Sequence, residues 1–200
     1  MHDLELTDGI FHRLNREIWI VTAADDARRG GLVATWVSPA SIDADRPVLL
    51  AGIAPNHFTC ELIDASNAFA AHLIAKSQIE LAWTFAIGSG RDRDKFLGVD
   101  TNSAPSGSPV LSGCLAWLDC QVISRLDTGD RVYFWGEVIG SGDVGNGVPL
   151  EEQDLFKSAN DEQLRQLRDG RDHDIAVQRP LRESWLENMP ELLKPSRQSS

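Results

Sequence analysis

A chain of 200 residues with 42% apolar side chains can form one domain with a real core, and wholesale disorder is not expected. A formal charge of −11 excludes a general nucleic-acid surface, so any anionic ligand has to be held by a local cluster of donors. The longest apolar stretches, Val48–Ala54 and Phe69–Ala75, fall well short of the ~20 residues that a membrane span needs.

The first third reads as strands and turns. Glu17–Thr22 is β-branched and aromatic, which suits a pleated, buried surface. Asp25–Gly31 is a turn and Leu32–Val37 a second strand, so the pair forms an antiparallel hairpin. Pro47–Ile53 is a third strand, with its proline at the edge where a missing N–H does no harm. A helix follows over about Phe58–Ala65, and Phe69–Ile74 is a fourth strand. Ser77-Gln78-Ile79-Glu80 has the capping-box pattern, which starts a helix running to about Ala86. Gly88–Gly113 is rich in Gly, Ser, Asp and Pro and is expected to be mostly loop, with one turn at Asp94–Leu97. Leu115–Ser124 alternates, Asp127–Asp130 is a tight turn and Arg131–Ile139 is the returning strand. The glycines from Gly140 onward are expected to break the chain.

Composition changes after Pro149. Residues 149–200 are charged and helical in pattern, with Asn160-Asp161-Glu162-Gln163 as a fresh helix start. Trp185, Leu186, Met189, Leu192 and Leu193 supply an apolar face near the end, and Pro195–Ser200 are expected to be disordered. Six short strands with inserted helices form a mainly β (α+β) domain over 1–148, arranged as a closed or partly closed barrel, with a helical extension over 149–200. Strands and helices do not alternate regularly, which disfavours a doubly wound parallel sheet.

No glycine-rich dinucleotide or triphosphate fingerprint follows a strand, and there is no GxSxG elbow. His2, His12, His57, His72 and His173 have no metal-ligand spacing, and no metal is expected. Cys60, Cys114 and Cys120 form no CxxC pair and read as small buried residues. Met1-His2-Asp3-Leu4-Glu5 has no leader pattern, so a reduced cytoplasmic protein is the expectation.

Four segments could carry chemistry. Ala34–Ile42 presents hydroxyls and free backbone groups from a strand end, which could match the alternating donors and acceptors of a flavin ring; the plainer reading is a Ser/Pro-rich turn. Ala54–Thr59 offers free N–H groups at a helix start, as an anion seat or as simple capping. Ser89–Phe96 holds three cations that could meet a phosphate, or be neutralised by the interleaved aspartates. Gly129-Asp130-Arg131 has the chemistry of a tight turn.

The order of Val21-Thr22-Ala23, Gly31–Ser41, Arg46–Leu50, Asn56–Thr59, Phe69–Leu73, Asp94-Lys95-Phe96, Gly107–Leu111 and Gly129-Asp130-Arg131 resembles the flavin-reductase-like family of FMN-binding split barrels over about residues 12–140. The resemblance implies an antiparallel six-stranded split barrel, a homodimer, and FMN (or FAD) in a groove at or near the dimer interface. Thr35, Trp36, Val37 and Ser38 match the strand along the isoalloxazine, and Ser41 the hydroxyl that follows it. Asn56 and Thr59 match the stretch at the ribityl phosphate. Lys95 and Phe96 match the loop that closes over the flavin, with Lys95 as a phosphate partner. Two positions depart from the family pattern. Arg131 stands where many members have a His thought to position nicotinamide, and His72 where they have Asn. A guanidinium is no general acid near neutral pH, but Arg131 could pair with the flavin or a nucleotide phosphate.

The implied activity is reduction of FMN by NAD(P)H, with a flavin-dependent monooxygenase or another electron acceptor as partner. The alternatives are an electron-transfer flavoprotein without direct NAD(P)H activity and a flavin-free dimeric scaffold.

Overall fold

The computed structural model describes residues 3–11, 13–143 and 145–194. The Met1-His2 start and the expected disorder of Pro195–Ser200 lie outside them.

Strands β1 (Trp19–Ala24), β2 (Arg29–Ala34), β3 (Val37–Pro39), β4 (Val48–Ile53), β5 (Ala68–Leu73), β8 (Ala116–Asp127) and β9 (Val132–Asp143) form one antiparallel sheet in the order β2-β1-β5-β8-β9-β4-β3. A separate hairpin pairs β6 (Thr101–Ser103) with β7 (Pro109–Leu111). Helices α1 (Leu4–Phe11), α2 (Phe58–Ser66), α3 (Ile79–Ala86), α4 (Glu152–Ser158) and α5 (Asp161–Glu187), with 3-10 turns at Lys76–Gln78 and Glu191–Leu193, complete the elements of the described residues.

The order explains the closure. Edge strands β2 and β3 are consecutive in the chain, joined only by Thr35 and Trp36. Three Cα steps reach at most about 11 Å. Seven flat strands would hold the edges about 29 Å apart. The sheet therefore curls until its edges meet.

Alternation along the strands serves two cores. Val21 and Ala23 of β1, Leu49, Ala51 and Ile53 of β4, and Phe69 and Ala71 of β5 enter the barrel interior with Leu62 and Ile63 of α2. Ile18, Ile20 and Ile74 face a second cluster with Trp83 and Phe85 of α3, Phe96, Leu111 and Leu150. Because β1 is covered on both faces, it reads as an apolar run broken only by Thr22, whose buried hydroxyl donates to the Pro109 carbonyl at 2.6 Å. Each fully buried side chain such as Phe69 or Phe85 contributes roughly 1.5–3 kcal/mol. The three cysteines are free and buried, and burial pushes the thiols up to about 12 for Cys60 and Cys120 and about 11 for Cys114.

Several boundaries differ from the sequence expectation. The predicted strand 32–37 is two strands, because the chain leaves β1 at Ala34 and joins β4 at Val37. The cap expected at Ser77 lies two residues earlier, at Ala75, whose N–H donates to the Gln78 side chain at 3.0 Å, and a 3-10 turn over Lys76–Gln78 leads into α3. The loop 88–113 contains the β6–β7 hairpin. This hairpin is held by buried Asp119, which accepts from the Ser106 N–H at 3.0 Å and from its hydroxyl. Strand β9 runs on through Gly140 and Gly142 to Asp143. At Gly142 a Cβ would collide with the Trp117 indole, so glycine there is needed for a close approach within a strand.

His72 is fully buried in β5. Its Nδ1 donates to the Ile20 carbonyl at 2.9 Å and its Nε2 accepts from the Leu111 N–H at 3.1 Å, so a neutral ring ties β5 to β1 and β7. Burial pushes its pKa down to about 4. The unfolded chain takes up a proton near pH 6.5 that the folded chain refuses until about 4. Stability is therefore lost as pH falls through that window, by about 3 kcal/mol at its foot. Urea unfolding at pH 7 and pH 4.5 is expected to give a larger acid loss for the native chain than for His72→Asn; equal losses would show that His72 does not titrate in this window.

Candidate functional site

Three segments meet at one end of the barrel because of the register around β4. Val37 pairs with Ala51, and Ile53 pairs with Val132. Trp36, the residue before β3, therefore lies beside Gly52, whose N–H donates to the Trp36 carbonyl at 2.8 Å. Arg131, the residue before β9, emerges at the same end, and β4 leads straight on to Asn56 and His57. The Arg131 guanidinium lies 4.5 Å from the Trp36 ring centroid. Stacking on an aromatic face suits a delocalised, weakly hydrated cation. Burial lowers the Arg131 pKa, with Asp130, Asp174 and Tyr133 opposing.

Beside this junction lies a cavity of about 630 Å³, within the size range of small-molecule sites. Leu32, Val33, Phe85 and Ile87 give it an apolar wall, and Asn56, His57, Arg91, Lys95 and Arg131 supply donors. The far wall is α5. Its start is built as the sequence predicts: Asn160 accepts from the Gln163 N–H at 2.8 Å and Gln163 returns the bond at 2.9 Å. Asp174 of α5 accepts from Asn56 Nδ2 at 2.8 Å and pairs with His57 Nε2 at 2.9 Å. Gln178 donates to Asn56 Oδ1 at 3.0 Å and accepts from Arg131 at 2.5 Å. Burial alone would raise the Asp174 carboxyl. The hydrogen bonds from His57 and Asn56, with the Arg131 charge, outweigh it and hold the group below its ordinary value.

Lys95 is buried, and its Nζ donates to the Phe85 carbonyl at the end of α3 at 2.8 Å. Burial, helped by Arg93, pushes its pKa down to about 8.

Of the residues singled out from the sequence, Asn56, Lys95 and Arg131 line the cavity, and Trp36 is joined to it through Arg131. Thr35, Val37 and Ser38 run along the edge from the β2–β3 junction without lining it. The Ser41 hydroxyl donates to the Arg46 carbonyl and accepts from the Val48 N–H, both at 3.0 Å, and so pins a turn. Thr59 is buried in the first turn of α2. Phe96 is buried edge-on to Phe85, with 5.2 Å between centroids, under the Arg29 guanidinium. Sequence reasoning missed His57, Arg91, Asp174 and Gln178 as lining residues. His57 and Arg91 sit in segments that the sequence does flag, but Asp174 and Gln178 carry no local signal.

The donor set fits a flavin mononucleotide: an apolar wall for a ring, with an ammonium, two guanidiniums and an amide for a phosphate. Among the described residues no helix is long and apolar enough to cross a membrane.

A family model described as the flavin reductase like domain matches residues 11–151. The diflavin flavoprotein A 1 of Synechocystis sp. is 28% identical over 137 residues, covering 68% of this chain and 23% of that protein. The reductase subunit HsaB of a flavin-dependent monooxygenase from Rhodococcus jostii is 30% identical over 133 residues, 66% of each chain. The chain thus spans two thirds or less of these curated relatives. Among solved structures, a homologue of nitrilotriacetate monooxygenase component B from Mycobacterium thermoresistibile superposes with a TM-score of 0.64. It is 27% identical, over 74% of this chain and 83% of that one.

The position of α5 depends on Gly129, whose φ of +86° fits the turn between β8 and β9. A Cβ there would strike the Leu181 carbonyl and Arg182 of α5. Gly129→Ala is expected to cost about 1 kcal/mol or more at this backbone conformation and to lift α5. Limited proteolysis should then cut within 161–187 faster while the barrel stays intact; an unchanged cleavage rate would contradict this seating.

Proposed function

The chain belongs to the flavin reductase like family, and from that membership we propose that it binds FMN, with FAD as the alternative flavin, and reduces it with NAD(P)H as hydride donor. The observation that carries the reading is the convergence of Asn56, Lys95 and Arg131, from three distant segments, on one cavity with an apolar wall.

Bound flavin supplies two-electron acceptor chemistry; the protein's part is to bind, orient and exclude water. Lys95 and Arg131 would hold the anionic end, with Asn56 before α2; Thr59 lies behind them in the core and does not reach the cavity. Leu32 and Val33 would pack against the ring, and Trp36, through Arg131, would bound it from the β2–β3 edge; Thr35, Val37 and Ser38 continue that edge outside the cavity, and Ser41 pins the turn beyond it. Phe96 keeps the Lys95 loop in place by anchoring it in the core. Arg131 offers a fixed positive charge where many relatives carry His, so it orients an anionic group and moves no proton. Hydride transfer itself requires none.

The protein acts as a homodimer in the cytoplasm, with residues 149–200 as an extension over the barrel or the partner subunit. It delivers electrons to a flavin-dependent monooxygenase or another acceptor. The likeness to a reductase subunit and to a monooxygenase component supports that partner class. A second reading, an electron-transfer flavoprotein, is favoured by one observation: Arg131 is already committed to Trp36 and Gln178.

One anaerobic experiment separates the two. After loading with FMN, NADH or NADPH is expected to bleach the visible flavin band; a band bleached by dithionite alone would select the electron-transfer reading. Lys95→Ala should weaken FMN by about 10- to 100-fold and riboflavin far less, because only FMN carries the phosphate. The Lys95 charge is present below about pH 8 and lost above it, so the preference for FMN over riboflavin should shrink as pH rises past that value. Equal weakening of both ligands would remove Lys95 from the phosphate role.

A further inference from the structure

Helix α5 touches the barrel at the cavity through the same groups that would hold the ligand. Asp174 engages Asn56 and His57, and Gln178 engages Asn56 and Arg131. A carboxylate from α5 thus occupies the donors at the start of α2, and an amide oxygen occupies the cation beside Trp36.

The rest of the helix is only lightly held. Gln178 is its one buried residue; Leu167 packs on the second core cluster and Leu164, Val177 and Trp185 are half-buried, while Ile175, Leu181 and Leu186 are about half exposed. Beyond the cavity it rests on the β8–β9 turn, where Arg182 pairs with Asp130 at 2.7 Å in an exposed contact. Exposed ion pairs hold weakly, so the segment beyond Leu167 is held to the barrel chiefly by polar contacts that a ligand can replace.

We propose that α5 is an autoinhibitory strap: Asp174 and Gln178 stand in for the polar groups of the flavin phosphate, and phosphate-bearing ligand displaces the helix from the cavity. This rests on the flavin reading of the site. Asn56, with two N–H donors and one carbonyl, already meets Asp174, Gln178 and, through its main-chain oxygen, Arg91 at 3.0 Å. Of its side-chain groups only the second N–H is left for a ligand while both α5 contacts stand. The Asp174 charge would moreover repel a phosphate at the same donors. The strap therefore discriminates between ligands. A dianionic ligand must expel the carboxylate, whereas a neutral one meets no like charge.

The experiment compares the full-length chain with Asp174→Asn/Gln178→Ala by hydrogen exchange over residues 171–182 and by titration with FMN and riboflavin. Without ligand, the double variant is expected to exchange faster in this segment than the native chain. FMN should accelerate exchange there in the native chain and riboflavin much less. The variant should bind FMN about tenfold more tightly, with a smaller change for riboflavin. Increased protection of 171–182 by FMN, or weaker FMN binding in the variant, would make α5 a lid that contributes to the ligand site and overturn the proposal. If neither protein binds any flavin, the flavin reading falls. The unliganded comparison then decides the strap: equal exchange rates overturn it, and faster exchange in the variant upholds the latch contacts.

Discussion

The two-residue link between β2 and β3 constrains everything else in the barrel. It forces opposite edges of a seven-stranded sheet to meet, and it places Trp36 at the meeting point. Once Trp36 is beside Gly52, the β4–β9 register brings Arg131 to the same end, and the chain leaving β4 can only deliver Asn56 and His57 there. The cavity is thus a by-product of closure. On the barrel side, Asn56, His57 and Arg131 come from just outside strand ends, where side chains escape the alternation that commits neighbours to one core or the other.

Much of this was legible in the sequence wherever one physical signal dominated. Short apolar runs marked β4 and β5, and the Asn160/Gln163 pair marked the start of α5. The break at Thr35 was not legible, because the residues either side are equally good strand formers and only the pairing partner changes. The extension of β9 was hidden by glycines that usually end strands; here Trp117 covers the strand so closely that a side chain would not fit. The β6–β7 hairpin depends on Asp119, whose buried carboxylate is explained by Ser106, thirteen residues earlier in the chain.

The site was partly legible for the same reason. Asn56, Lys95 and Arg131 lie in segments whose local chemistry is unusual for so acidic a chain. Thr59 and Phe96 lie in those segments too, but helix and loop geometry turn them into the core. Asp174 and Gln178 could not be found, because α5 is polar nearly all round. Which of its carboxylates meets the barrel depends on how the helix is seated at Gly129 and Asp130, which no periodicity in its own sequence records.

That polarity has an energetic consequence. A half-buried guanidinium and a half-buried amide at the barrel end are costly without partners, and α5 supplies them: Gln178 to Arg131 and Asn56, Asp174 to Asn56 and His57. A ligand arriving at this end exchanges one set of hydrogen bonds for another. Its net gain is the difference between two satisfied states, to which only the apolar wall of Leu32, Val33 and Phe85 adds a term with no internal competitor. Ring burial would then set how tightly the ligand is held, and the charge balance among Asp174, Lys95 and Arg131 would set which ligand is preferred.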